Sequence, residues 1–250
     1  MTEGCPFSMS KAGAEVFGAG SIQLHKFGIC QMKCWAYAAI VSVLASGFGA
    51  GSALAQASTV IVRATDVIYA AGNQASFAAQ AGGTVPQAVI DIPPDTKAIS
   101  MKSVTGSLAC RSREGCITLD GVTYHDPDGH PGNYISTTGW ESISGFSAGG
   151  QGYLLGVFLA PNGPSGAAPA AESYPPMNKH ARVHRPLLDQ TFFIGDGLTK
   201  NGHGTRQLIR VPQGATELVL GISDACNGNG QPGCYADNQG TWTVTYKIAP

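Results

Sequence analysis

Short apolar segments of strand length, broken repeatedly by turn residues such as glycine and proline, follow one another through residues 58–250. No stretch of about 11 residues or more shows the 3.6-residue apolar repeat of an amphipathic helix. The clearest segment is 240–248, where Trp242 and Val244 alternate with threonines. Such alternation is typical of an antiparallel sheet with one buried face. The sequence therefore predicts an all-β fold, an antiparallel sandwich or jelly roll with long loops.

Several segments are specific enough to be assigned as strands or loops. In the last strand, the apolar residues expected to share the buried face are Trp242, Val244, Tyr246 and Ile248. The predicted strands are 59–64, 67–69, 88–92, 98–106, 152–159, 190–194, 206–211, 217–223 and 240–248. The predicted long loops are 119–150, 160–188 and 224–239.

The N-terminal segment has the organisation of an export signal. Lys33 precedes an apolar run, 35–48, and small residues then lead to the A-x-A pattern of a cleavage site at 53–57. An apolar run of about 14 residues is shorter than the roughly 20 that a membrane span needs. We therefore expect 1–57 to be a cleaved signal peptide with a non-native N-terminal extension. Residues 58–250 are expected to form a single β-sandwich domain that is secreted or periplasmic.

Charge limits the partners that this domain could bind. The formal net charge of the chain is −1, which gives no basic surface for a nucleic acid or an anionic membrane. We therefore expect no nucleic-acid partner and no membrane insertion.

The cysteines after the export signal fall into two close pairs, Cys110 with Cys116 and Cys226 with Cys234. An even number of cysteines in an exported chain indicates disulfides. Four cysteines allow three pairings, and the two local ones are favoured. The spacings fit no common zinc-ligand pattern.

The loop that Cys226 and Cys234 would close is rich in oxygen ligands. Asp224 lies just before it, and Asp237 and Asn238 lie just after it, within the segment 221–240. Calcium takes six to eight oxygen ligands from carboxylates, amides, backbone carbonyls and water. Asparagine, aspartate and glycine are also ordinary turn formers, so composition alone leaves a plain turn as the alternative.

This segment resembles the calcium loop of the PA-IL-like, calcium-dependent galactose-binding bacterial lectins. In that family an aspartate that ends one strand is followed by a turn, a tyrosine, a spacer, two Asn or Asp residues and a glycine. Here the pattern is Asp224 followed by YADNQG at 235–240. A second stretch, DVIYAAGN at 66–73, is similar to the family's Ile-Tyr-x-x-Gly. The turn after Asp224 is longer here than in the family.

The resemblance implies calcium ligands from the backbone carbonyls of Tyr69 and Cys234 and from the side chains of Asp224, Asp237 and Asn238. The same three side chains would also contact the sugar, whose adjacent hydroxyls complete the coordination of the ion. The implied cofactor is Ca²⁺ and the implied partner is a galactose-type glycan. The chain could also form a homo-oligomer, because multivalency strengthens weak sugar binding.

Further sugar contacts are expected from the middle of the chain. His125 and His130 are loosely similar to the family's His-Pro-x-Gln stretch beside the sugar. Aromatic residues near these histidines, Tyr124, Tyr134 and Trp140, could stack on sugar faces or anchor the loop on the core.

Two other functions compete with a lectin. One is a secreted structural or adhesive module in which calcium or disulfides stabilise the loops and no sugar binds. The other is a serine hydrolase, because GFSAG around Ser147 matches G-x-S-x-G and is followed by Asp189 and His203. That motif needs a helix after the serine, whereas the glycines of 149–152 disfavour one. We therefore expect a binding protein and not an enzyme.

Overall fold

The structure is a computed structural model that describes residues 57–72, 74–110, 123–129, 134–150, 152–174 and 178–250, with the side chains of 110 and 123–125 left out. The predicted signal peptide and the positions of Cys116 and His130 lie outside these residues. The side chains of Cys110 and His125 lie outside them as well.

Strands make up nearly all the regular structure of the described residues, which confirms the predicted all-β class. The helical elements are one short helix, α1 (Ala75–Gln80), and two 3₁₀ turns (Ile68–Ala70 and Tyr235–Asp237). None of the helices in these ranges is long and apolar enough to cross a bilayer. The strands are β1 (Ser58–Arg63), β2 (Ala88–Asp91), β3 (Ala98–Cys110), β4 (Thr123–His125), β5 (Ile135–Trp140), β6 (Ile143–Ala148), β7 (Leu154–Leu159), β8 (Glu172–Tyr174), β9 (Val183–His184), β10 (Thr191–Phe193), β11 (Leu198–Lys200), β12 (His203–Arg206), β13 (Leu208–Arg210), β14 (Glu217–Ile222), β15 (Asn229–Gly230) and β16 (Asn238–Ala249).

Two main sheets share one apolar core, as in a sandwich. The first has the order β1-β16-β3-β13-β9, with β4 also paired to β3. The second has the order β10-β7-β14-β2. Buried side chains from both sheets, such as Trp242 and Leu220, belong to a single cluster. Two smaller sheets of the described residues, β15-β5-β6-β8 and β11-β12, flank this pair.

The alternation predicted for the last strand is confirmed. Trp242 and Val244 are fully buried, and Tyr246 and Ile248 pack against the core from partly exposed positions. Val62 of β1 lies opposite Trp242, so both strands bury the same face. The central strand β7 is buried at every position, because β10 and β14 flank it and both of its faces are covered.

The segment 67–69, predicted as a strand, is instead a single bridge residue, Val67, followed by the first two residues of a 3₁₀ helix. The carboxylate of Asp66 accepts a hydrogen bond of 2.9 Å from the backbone N–H of Arg63, which closes a tight turn after β1. The chain then passes beside β14, where Val67 forms a parallel bridge with Ile222. Its apolar residues are buried on all sides and make no ladder with β1.

The segment 119–150, predicted as a loop, contains β4, which pairs with β3, and also β5 and β6, which pair as an antiparallel hairpin. Their buried positions include Thr137 and Ser144, so the hairpin lacks the apolar alternation that predicts strands. The predicted loop 160–188 likewise contains β8 and β9, each of three residues or fewer.

Candidate metal-binding site

The two segments expected to supply metal ligands lie side by side. The backbone N–H of Ile222 donates a hydrogen bond of 3.0 Å to the carbonyl of Asp66, next to the parallel bridge between Val67 and Ile222. Tyr69 and Asp224 each lie two residues beyond that bridge. The first 3₁₀ turn and the end of β14 therefore form one contiguous backbone surface.

The side chain of Tyr69 is used inside the protein. It is fully buried, and its hydroxyl lies 2.7 Å from the Ser223 Oγ and also contacts the Thr137 hydroxyl. Burial raises the pKa of Tyr69, and these two hydrogen bonds oppose that rise only in part. Because the phenol is neutral and already bonded, any contribution of Tyr69 to a metal has to come from its backbone.

Tyr235 holds the backbone at Asp224 in place. Its buried hydroxyl donates a hydrogen bond of 2.8 Å to the carbonyl of Ile222 and accepts one of 2.9 Å from the N–H of Asp224. The N–H of Tyr235 in turn donates to the carbonyl of Ala81, just after α1. This one residue therefore ties the end of β14 to the second 3₁₀ turn and to α1.

The side chains of Asp224 and Asn238 join the end of β14 to the start of β16. The Nδ2 of Asn238 donates a hydrogen bond of 2.7 Å to the Oδ2 of Asp224, and the N–H of Ala225 donates one of 2.7 Å to the Oδ1. Two residues predicted from different parts of the loop are thus in direct contact.

Burial raises the pKa of Asp224 to about 7, which outweighs the hydrogen bonds from Asn238 and Ala225 that favour the carboxylate. The nearby carboxylate of Asp237 raises it further. No Lys, Arg or His of the described residues contributes to this shift. A part-buried carboxylate without a positive neighbour favours a bound cation, because the cation would offset the cost of desolvating the charge.

Asp237 and Cys234 lie at the two ends of the second 3₁₀ turn. Burial raises the pKa of Asp237, while its own backbone N–H lowers it. Cys234 has a left-handed backbone with φ of 66° and forms the predicted disulfide with Cys226. Inside this closed loop, the N–H of Gly233 donates to the carbonyl of Asp224 at 3.2 Å.

The donor types fit a hard cation. The expected set, from Tyr69, Cys234, Asp224, Asp237 and Asn238, consists only of oxygens, which suits calcium better than zinc or copper. In the structure the Asn238 amide nitrogen donates to the Asp224 carboxylate at 2.7 Å, and this separation is close to the roughly 3 Å between two oxygens that bind one ion at about 2.4 Å. Rotating the side-chain amide of Asn238 by 180° would exchange the positions of its nitrogen and oxygen, and the oxygen could then bind a cation next to Asp224.

The described residues contain no cluster of three or more His, Cys, Asp or Glu side chains that could hold a metal. The expected site has only two such side chains, and an amide and two backbone carbonyls would complete it.

The acidic loop around Asp126 and Asp128 uses its carboxylates to hold turns. Asp126 accepts hydrogen bonds from the N–H of Asp128 and from the amide of Asn201. The Oδ1 of Asp128 accepts one of 2.8 Å from the N–H of Asp196. The sugar contacts predicted beside this loop, His125 and His130, have no described side chains.

The three residues of the hydrolase alternative have separate partners in the described part of the chain. Ser147 lies inside β6 and its hydroxyl contacts that of Tyr134. Asp189 accepts a hydrogen bond from the N–H of Ser165. His203 lies in β12, with its Nδ1 2.7 Å from the carbonyl of Asn201.

Sequence reasoning did not identify three residues that support the site: Tyr235, Ser223 and Thr137. Tyr235 is part of the family-like motif, so its fixed place before Asp237 was the available signal. Ser223 and Thr137 carry no such signal, because serine and threonine residues are usually exposed.

Comparison with known proteins returned no match: no protein-family model, curated protein or solved structure matches this chain.

Proposed function

We propose that this chain is an exported, calcium-dependent carbohydrate-binding protein whose preferred partners are galactose-type glycans. In this proposal the β-domain has a jelly-roll arrangement of the galactose-binding type. Residues 1–57 direct its export and are removed. The protein acts by binding and not by catalysis.

The observation that supports the proposal is the convergence of the two ligand segments. The turn that contains Tyr69 lies against the end of β14, and Asp224 contacts Asn238 at the start of β16. Tyr69 and Asp224 are more than 150 positions apart in the sequence. An all-oxygen donor set that includes carboxylates is what a calcium site needs.

In the proposed site, the carbonyls of Tyr69 and Cys234 and the side chains of Asp224, Asp237 and Asn238 hold the ion. Calcium, when bound, supplies coordination positions that adjacent sugar hydroxyls can occupy in place of water. Asp224 and Asp237 accept hydrogen bonds from these hydroxyls, and Asn238 can donate one. Selectivity then follows from the stereochemistry of the two hydroxyls.

The test is a glycan array probed with the purified protein in excess calcium and again in excess chelator. We expect galactose-terminated glycans to bind in calcium only. Asp224→Asn should abolish binding, because it removes the central charge while keeping the shape of the side chain. Asp95→Asn is the matched control, since Asp95 is exposed in a turn with φ of 66°, which asparagine also tolerates. Binding that persists in chelator would contradict the proposal.

A structural module is the second candidate, because both carboxylate oxygens of Asp224 already bond within the protein. In that case chelator would lower the melting temperature, and no glycan would bind in either condition.

A further inference from the structure

A pocket outside the proposed calcium site lies between α1 and the tip of the β5–β6 hairpin. Its volume is about 430 Å³, and the residues lining it include Phe77, Trp140, Gln74, Gln80 and Glu141. Neither the metal ligands nor the hydroxyl contacts of Tyr69 use any of these side chains. The pocket is therefore separate from the proposed calcium site.

The aromatic wall of the pocket is rigid. Phe77 and Trp140 stack with ring centroids 4.1 Å apart and planes 8° from parallel. Phe77 is only 5% exposed and belongs to the core, whereas Trp140 is partly exposed. The buried ring thus fixes the indole at the surface. An indole fixed in this way suits a sugar, because the weakly positive C–H bonds of a pyranose face pack against the negative ring system.

The polar wall of the pocket has free hydrogen-bonding groups. The side chains of Gln74, Gln80 and Glu141 make no hydrogen bond to the described part of the chain. Two amides and a carboxylate can both donate to and accept from hydroxyl groups. The lining residues include no Lys or Arg, so a phosphate-bearing ligand would meet only the negative charge of Glu141. An aromatic surface edged by amides and a carboxylate favours a neutral, hydroxyl-rich ligand.

Two connections link the walls of the pocket to residues that support the proposed calcium site. The carbonyl of Ala81, just after α1, accepts a hydrogen bond from the N–H of Tyr235, and α1 is only about 9 Å long at 1.5 Å per residue. On the other side, Trp140 lies three residues beyond Thr137, or roughly 10 Å along the strand, and Thr137 contacts the Tyr69 hydroxyl. An oligosaccharide held at the calcium site could therefore reach the pocket.

We propose that this pocket is a second saccharide subsite, which binds a further pyranose ring of the glycan whose terminal galactose is held at the calcium. The inference rests on the proposed function. Trp140 provides the stacking face, and Gln74, Gln80 and Glu141 bind the ring hydroxyls.

The test compares the affinities of two probes, methyl galactopyranoside and a linear galactose trisaccharide, by calorimetry in excess calcium. The wild-type protein should bind the trisaccharide about five- to tenfold more tightly than the monosaccharide, as one added aromatic contact allows. Trp140→Ala should reduce this ratio to below about twofold and leave monosaccharide affinity unchanged. Tyr134→Ala, which removes another exposed aromatic side chain, should keep the full ratio.

A double variant, Gln80→Ala with Glu141→Gln, provides a second test if Trp140→Ala does not fold. Both positions are exposed, so the double variant should fold. It should lower the ratio as well. A trisaccharide that binds no better than the monosaccharide, or a ratio unchanged in both folded variants, would overturn the subsite while the calcium site stands. Failure of the wild-type protein to bind methyl galactopyranoside would overturn the proposed function itself.

Discussion

At the scale of single residues, the site depends on groups that do not touch the proposed ligand. The carboxylate of Asp224 is positioned by a tyrosine that bonds to the backbone on both sides of Ser223. A motif of spaced aspartates and asparagines does not reveal this support, since the hydroxyl of Tyr235 acts only through the backbone. The ligand residues themselves stay a prediction, and they came from the family resemblance, because Asp and Asn near a turn are also ordinary turn formers.

Tyr235→Phe should destabilise the protein by about 1–3 kcal/mol, because it leaves a buried carbonyl and a buried N–H without their partner. The calcium affinity should fall as well, because the backbone N–H of Asp224 loses its hydrogen bond to the Tyr235 hydroxyl. Denaturant unfolding measures the first effect and calcium titration the second. Tyr246→Phe is the matched control, because Tyr246 is partly exposed and its hydroxyl makes no hydrogen bond to the described residues. Equal losses in the two variants would contradict the role given to Tyr235.

Glu172 gives the fold a pH dependence of its own. It is 4% exposed and accepts a hydrogen bond from Tyr174, and burial raises its pKa from an ordinary 4.5 to about 7. The folded state therefore binds the proton more tightly than the unfolded chain. Its stabilisation is complete below about pH 4.5 and is lost as the pH rises through about 7.

Glu172→Gln should flatten that part of the profile. Between about pH 4.5 and 7 the wild type should lose up to roughly 3 kcal/mol more stability than the variant, at about 1.4 kcal/mol per pKa unit. Urea unfolding at a series of pH values measures this difference. Glu141→Gln, at an exposed position, should follow the wild type. A wild-type profile parallel to that of Glu172→Gln would rule out the assignment.

At the scale of elements, a strand whose apolar residues alternate with polar ones was predictable, and strands that mix buried apolar residues with buried hydroxyls and glycines were not. The face of β16 was clear because tryptophan and valine alternate with threonine. In the β5–β6 hairpin, Ser144 is buried but exchanges hydrogen bonds with Thr191 of β10. These hydrogen bonds offset the cost of burying polar groups. Because the strand can therefore bury hydroxyl residues, its sequence does not show apolar periodicity.

The pairing of β3 with β16 depends on a glycine. Gly106 has φ of +109°, and a Cβ at this position would lie 2.2 Å from the carbonyl oxygen of Thr241. Gly106→Ala should therefore lower the free energy of unfolding by more than about 2 kcal/mol, because both the φ angle and the contact become strained. Gly149→Ala has open space around it and should change stability by less than about 0.5 kcal/mol. Thermal unfolding of both variants checks the difference.

At the scale of the whole molecule, the antiparallel pairing of β1 with β16 brings the two ends of the β-domain together. That the segments 66–73 and 224–240 lie side by side could be predicted only from a family resemblance. A local sequence pattern does not show which residues are in contact across more than 150 positions. The turn at Asp66 and the bridge from Val67 to Ile222 are what bring the two segments together. The helix α1, which follows the first 3₁₀ turn in the chain, also forms one wall of the proposed saccharide subsite.

The most direct test of a calcium site shared with a sugar is calorimetric titration of calcium into the chelator-treated protein, with and without methyl galactopyranoside. If the ion and the sugar bind at one site, we expect one calcium per chain and an increased calcium affinity in the presence of the sugar. By linkage, the same factor must appear when the sugar is titrated with and without calcium. Absence of calcium binding, or a calcium affinity that the sugar leaves unchanged, would contradict the account.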